Sequence, residues 1–135
     1  MKRSFPVLVL LLISVALLTA ASSLPNTTIT LVQGLDPSMS VGEVQTVQVQ
    51  VTSDQEFLLA QAMPSFAYPG KGVVAVQGGD HAGRGTSAML EVTFEAKGST
   101  ANMEGGAAPV YVVVGVRYPG GYVKAEQYVF YVSVP

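Results

Sequence analysis

The chain's single histidine, His81, stands in the stretch GGDHAGRGTS (residues 78–87), with Asp80 beside it, Arg84 three positions on and four glycines around them. Three chemistries attach to such residue types. A carboxylate next to an imidazole is the material of an oriented general base, with Thr86 and Ser87 as nearby hydroxyls. Gly78-x4-Gly83-Arg84-Gly85 comes close to a phosphate loop, with Arg in place of Lys and Gly in place of Ser or Thr. The run from Gly83 to Ala88 fits the dinucleotide pattern G-x-G-x-x-A. Both phosphate motifs work only where a strand turns into a helix, because the helix N-terminus supplies the amides and the dipole. Here the alternating AMLEVTFEA follows, which predicts a strand, so both motifs lose their context. Acid–base catalysis needs a nucleophile, a base and an orienting acid brought together, with oxyanion donors besides. Adjacent positions such as Asp80 and His81 rarely bring a carboxylate onto an imidazole, and no other part of such an assembly is legible. The expectation is a chain that is not an enzyme, with no cofactor.

The elements that must position this loop are strands. In EVQTVQVQVT (residues 43–52), Val47, Val49 and Val51 alternate with Gln48, Gln50 and Thr52, the period-two signature of a half-buried strand. AMLEVTFEA (88–96) turns Ala88, Leu90, Val92, Phe94 and Ala96 inward. PVYVVVGVRY (109–118) puts four valines, 110, 112, 114 and 116, on one face. Its other face, with Tyr111, Val113, Gly115 and Arg117, is less polar than a solvated face should be. YVKAEQYVFYVSV (122–134) is apolar on both faces, which suits a central strand, one covered from outside, or an edge open to strand addition. Pro119-Gly120-Gly121 between the last two predicts a tight hairpin. Weaker strands are expected at 28–33, 57–62 and 73–77, and no convincing helical period occurs after residue 22.

Six or seven short strands in about 110 residues predict an all-β fold, an antiparallel Ig-like β-sandwich, with a small barrel as the rival architecture. The Cys…Trp…Cys framework of antibody domains is absent, since the chain has neither residue. SVGEVQTVQVQVTS (40–53) and the closing PVYVVVGVRYPGGYVKAEQYVFYVSV (109–134) resemble the opening turn and final hairpin of Ig-like modules in bacterial and archaeal cell-surface proteins, the CARDB-type and S-layer-associated modules among them. That resemblance implies an adhesive, spacing or structural role and supplies no catalytic residues.

Ahead of the strands, Lys2 and Arg3 precede an apolar run from Pro6 to Ala21 and the small residues LTAASS. This reads as a signal peptide over residues 1–22, or an uncleaved membrane-anchor helix of about the ~20 residues a span requires, with the Ig-like domain over 23–135. Secretion, or a periplasmic, cell-surface or membrane-anchored location, follows; the membrane is met only through that segment. Without Lys2 and Arg3 the chain carries five cations against nine acids, a net charge of −4, with no basic cluster, so nucleic acid is not an expected partner. The absence of cysteine excludes thiol catalysis and cysteine-metal centres, and a single histidine excludes a multi-histidine site within one chain. Asn26-Thr27-Thr28 fits the N-glycosylation sequon.

In an Ig-like strand order, the connections at 53–56, 78–87 and 119–121 meet at one end of the sandwich. They would assemble Asp54, Glu56, Asp80, His81, Arg84, Tyr118 and Tyr122 as a partner-binding cluster. Asp54, Glu56 and Asp80 raise calcium as a ligand, but with no D-x-D-x-D-G run present a solvated acidic turn explains them better. Phe66 and Tyr68, in a Pro/Gly-rich connection at the opposite end, either cap the core or offer a sticky contact. The expected function is a non-enzymatic exported module with a structural or adhesive role that engages protein partners or its own copies, strand addition included. SSLPNTTITLVQ is a candidate donated strand. A carbohydrate- or calcium-binding module using the loops of one end is the alternative.

Overall fold

The alternating valines resolve into strands with one face in the core. The computed structural model describes residues 23–65, 74–76 and 79–135. The predicted signal or anchor helix at 1–22 and the aromatics Phe66 and Tyr68 lie outside the described residues. Eight strands are described: β1 (Thr27–Gln33), β2 (Val44–Phe57), β3 (Leu59–Ser65), β4 (Val74–Val76), β5 (Asp80–Ala82), β6 (Gly85–Ala96), β7 (Ala108–Arg117) and β8 (Val123–Val132). They form two antiparallel sheets, ordered β1-β2-β6-β4 and β5-β3-β7-β8. Two separate sheets, with central pairs drawn from strands distant in sequence, make a Greek-key sandwich and rule out the barrel.

The core lies between the sheets. Val47, Val49 and Val51 of β2 and Leu90, Val92 and Phe94 of β6 face Val110, Val112, Val114 and Val116 of β7, all fully buried. Each such side chain contributes about 1.5 kcal/mol or more on leaving water, which is how a chain without disulfides holds two sheets together.

Two features of this frame were not legible as such. First, β2 does not stop at Thr52: it continues to Phe57, with a register shift between Thr52 and Phe57. Residues 53–56, expected to be a connection, are a bulged extension of a strand. The polar SDQE loses its β6 partner there while Ser53 and Asp54 stay paired with β1. The turn between the sheets is left to Leu58, whose N–H donates to the Arg117 carbonyl at 2.8 Å. Second, residues 80–82 are a strand, β5, where only a loop was expected.

The sandwich closes along its other long side by a change of sheet. After β1 the chain passes Gly34, where a Cβ would stand 2.7 Å from the Phe130 ring, so only glycine allows the close approach. It then pairs in parallel with the end of β8 through Ser38 and Ser133. The bonds are Met39 N–H to the Ser133 carbonyl (2.9 Å) and Ser133 N–H to the Pro37 carbonyl (2.8 Å). The β7–β8 hairpin is as predicted: Tyr118 N–H donates to the Tyr122 carbonyl at 2.8 Å, while Gly120 and Gly121 take φ of 89° and 93°. A side chain at either position would be strained.

Candidate functional site

One end of the sandwich does gather much of the expected cluster. The bulge of β2, the start of β6, the first residues of β1 and the β7–β8 hairpin meet there. Asp54 Oδ1 accepts the Asn26 N–H at 2.8 Å, and the Asp54 N–H returns a bond to the Asn26 carbonyl at 3.3 Å. Arg84 Nη1 lies 3.6 Å from Glu56 Oε1, with both side chains largely in solvent, an ion pair worth about 0–1 kcal/mol. Tyr118 and Tyr122 stack with ring centroids 5.8 Å apart. Tyr118, however, is only 2% exposed. Its hydroxyl donates to Ser53 Oγ at 2.7 Å and, with its one proton so used, accepts from Thr27 Oγ1 at 2.5 Å. It is a core tyrosine whose polar tip binds β1 and β2 together, leaving Tyr122 as the accessible ring of the pair.

Asp80 and His81 stand apart from that end, along sheet two. Asp80 Oδ1 accepts the His81 backbone N–H and Oδ2 the Glu91 backbone N–H, each at 2.9 Å. The second bond fastens β5, in one sheet, to β6 in the other. A carboxylate held on two backbone amides is not orienting an imidazole. The His81 ring is exposed, with no described residue bonded to it. Among the described residues no three His, Asp or Glu side chains come together as a metal site. The acids from which a calcium site was read are engaged separately: Asp54 on Asn26, Glu56 on Arg84, Asp80 on two amides.

Asn26 is exposed at the edge of β1, with Thr27 half-buried and Thr28 exposed. The segment 27–33, a candidate donated strand, pairs with β2 of its own chain in antiparallel register from Thr27↔Ser53 to Gln33↔Gln48.

A second surface was not singled out from the sequence. The outer face of sheet one is mainly polar, with Val44 and Met89 exposed on it, and its polar side chains bond across the strands. Thr46 and Thr93 share a hydrogen bond at 3.0 Å, Gln48 Nε2 donates to Glu91 Oε1 at 2.7 Å, and Thr28 and Thr30 stand opposite Thr52 and Gln50. Sheet two's outer face is the opposite. Register places side by side Leu59, Arg117 and Val123; then His81, Gln61, Gly115 and Ala125; then Met63, Val113 and Gln127; then Ser65, Tyr111 and Val129; and last Pro109 and Tyr131. Tyr131 is 66% exposed, Val123 52%, Met63 48% and Val129 41%. Arg117 is the only charged side chain in these rows, with His81 at the β5 rim.

The face is dented as well as apolar. A Cβ at Gly115 would meet nothing within 4 Å. Hollows of about 120 Å³ (Gln61, Met63, Val113, Gly115) and 240 Å³ (Leu59, Gln61, Gly115, Arg117, Val123) flank it. A larger one of about 420 Å³ opens at the far end between Met103, Glu104, Ala107, Pro109 and Tyr131, with the Glu104 carboxylate at its rim. The signal in the sequence was the apolar second parity of the last two strands; what it lacked was β8's place at the sheet edge beside β7.

The strand order and the central pairs make the chain an Ig-like β-sandwich domain. No protein-family model matches it, and no curated protein does. Among solved structures it is similar to part of the native Escherichia coli alpha-2-macroglobulin (TM-score 0.48, 12% identity, 82% of this chain and 7% of that one). It is also similar to part of the secreted serine protease VesC of Vibrio cholerae (0.46, 14%, 78% and 23%) and to murine CRIg (0.33, 10%, 82% and 98%). The chain thus spans a small fraction of the first two, and the assignment of its fold rests on its own topology.

Proposed function

We propose that this chain is an exported, non-enzymatic Ig-like module with a structural or adhesive role, and that it engages protein through the outer face of sheet two. One observation carries the reading: of the two outer faces, one is mainly Thr, Gln and Glu bonded across the strands, with Val44 and Met89 exposed among them, while the other is largely apolar, dented and almost uncharged. Apolar rows of this extent on a sheet face mark a surface that another protein covers. The polar end of the domain favours a different role. Asp54 and Tyr118 hold strands together there, and chemistry at that end would require groups the fold already engages. Export is supported by the basic and apolar N-terminal segment.

The test is photo-crosslinking in an exporting host. A photoreactive residue at Gln127, in the middle of the face, is expected to give a protein adduct in the extracytoplasmic fraction. The same group at Met89, on the polar face and 46% exposed, should give none. Equal yields from both faces, or a chain that stays in the cytoplasm, would overturn the proposal.

A further inference from the structure

The partner class can be narrowed from the face itself. We infer that the outer face of sheet two seats a second copy of this chain, packed face to face about a two-fold axis that crosses the strands near Val113 and Gln127. The inference rests on the functional reading above and deepens it.

Three features favour a copy of the same chain over an unlike partner. The first is area. The face comprises three residues of β5, seven of β3 and ten each of β7 and β8, which at about 3.4 Å by 4.8 Å per residue makes roughly 490 Å² per copy. A pair then covers about 1,000 Å², the lower limit for a specific interface. The second is charge. Complementarity to a charged partner would need charges on this side, and the rows contain Arg117 alone, placed at one end rather than at the centre. Two copies meeting about the central axis therefore keep their arginines apart. The amide of Gln127, in the axis row, offers donor and acceptor, so it can satisfy its own copy, as an isologous contact requires. The third is relief. With the axis midway along β7, at Val113, the protruding Tyr131 of one copy comes over the hollow beside Val123 and Arg117 of the other. Each Arg117 in turn comes toward the Tyr111 and Tyr131 end, where a guanidinium finds aromatic faces.

Gly115 provides a clean perturbation, because its missing side chain leaves open space and any residue fits the free chain there. Gly115→Lys is expected to keep the melting temperature of the single domain while weakening self-association about a hundredfold, since an unpaired ammonium would be trapped in the contact. Met89→Lys, on the other face, should leave association unchanged. The full chain as released by an exporting host is measured by sedimentation equilibrium, and twice the chain mass is expected.

The absence of native cysteine allows a second, independent readout. Gln127→Cys stands near the axis, should meet its own copy and should form a disulfide-linked dimer on mild oxidation, whereas Met89→Cys should not. A chain that stays monomeric at all concentrations overturns the inference, as does a dimer indifferent to Gly115→Lys and not linked through Gln127→Cys, which would point to pairing at a strand edge. Photo-adducts at Gln127 that contain only a different protein would overturn the second copy while leaving the functional proposal standing.

Discussion

Thr100 is the one polar side chain fully buried among the described residues, and replacing it tests how the β6–β7 connection is held. Its hydroxyl donates to the Gly106 carbonyl at 2.7 Å and accepts the Val134 N–H at 2.8 Å, while its own N–H donates to the Val134 carbonyl at 2.8 Å. One residue thereby ties the 97–107 connection to the C-terminal segment. Thr100→Val keeps the shape and the backbone bond but removes both hydroxyl bonds. Gly106 is half-buried, so its carbonyl can turn to water. The Val134 N–H is buried and cannot. Losing the bonds at about 1 kcal/mol each and orphaning that N–H, at about 1 kcal/mol further, is offset by some 0.8 kcal/mol for the added methyl, leaving a loss of about 2 kcal/mol. For a domain of this size the melting temperature should fall by roughly 8 °C. Urea unfolding should show the midpoint shifted with the slope unchanged, and Thr100→Ser should lose much less, because the hydroxyl stays. A Thr100→Val protein within ~0.5 kcal/mol of the parent would refute the reasoning, since that is the spread of substitutions that break nothing.

Other outcomes follow from the same structure. Tyr118→Phe should cost about 1–2 kcal/mol in urea unfolding, and combined with Ser53→Ala the loss should be less than the sum of the two, because both remove the Tyr118–Ser53 bond; full additivity would show that this contact is not formed. Asp80→Ala should destabilise by about 1 kcal/mol and His81→Ala by less than ~0.5, a contrast that equal losses would contradict. Burial, then the hydrogen bond to Glu126 and its charge, raise the Tyr128 phenol above its ordinary value of 10.0. Because its folded pKa is the higher one, its contribution to stability is complete below pH 10 and is lost as pH rises through the folded value. Ultraviolet titration should find one late phenol that moves back toward 10.0 in Glu126→Gln, and an unmoved titration would remove Glu126 as a cause.

The sequence by itself determined the all-β class and most of the strands. Valines at every second position of 47–51 and 110–116, and the inward set from Ala88 to Ala96, can bury one face only as strands, and Pro119-Gly120-Gly121 can turn only as a hairpin. That pattern is local: it depends on side chains two residues apart and on glycine's freedom at positive φ. It was also enough to dismiss the phosphate and dinucleotide readings of GGDHAGRGTS, because a strand follows that stretch. Two local expectations failed where local signals mislead. The polar 53–56 looked like a turn but stays extended through a bulge, and 80–82, three residues between glycines, became a strand only by pairing with Ala60–Ala62 of β3.

Tertiary structure alone decided which residues hold the strands together and which stay exposed. Tyr118 and Asp80 were site candidates by type; their bonds to Ser53, Thr27 and Glu91 cross between strands as many as 91 positions apart. No spacing rule reports such contacts. The apolar second parity of β7 and β8 was visible in the sequence, but its meaning depended on β8 ending up at an edge and on register setting Tyr111 beside Val129 and Pro109 beside Tyr131. A row of side chains becomes a surface only when neighbouring strands align it, and that alignment belongs to the sheet rather than to any one segment of the chain.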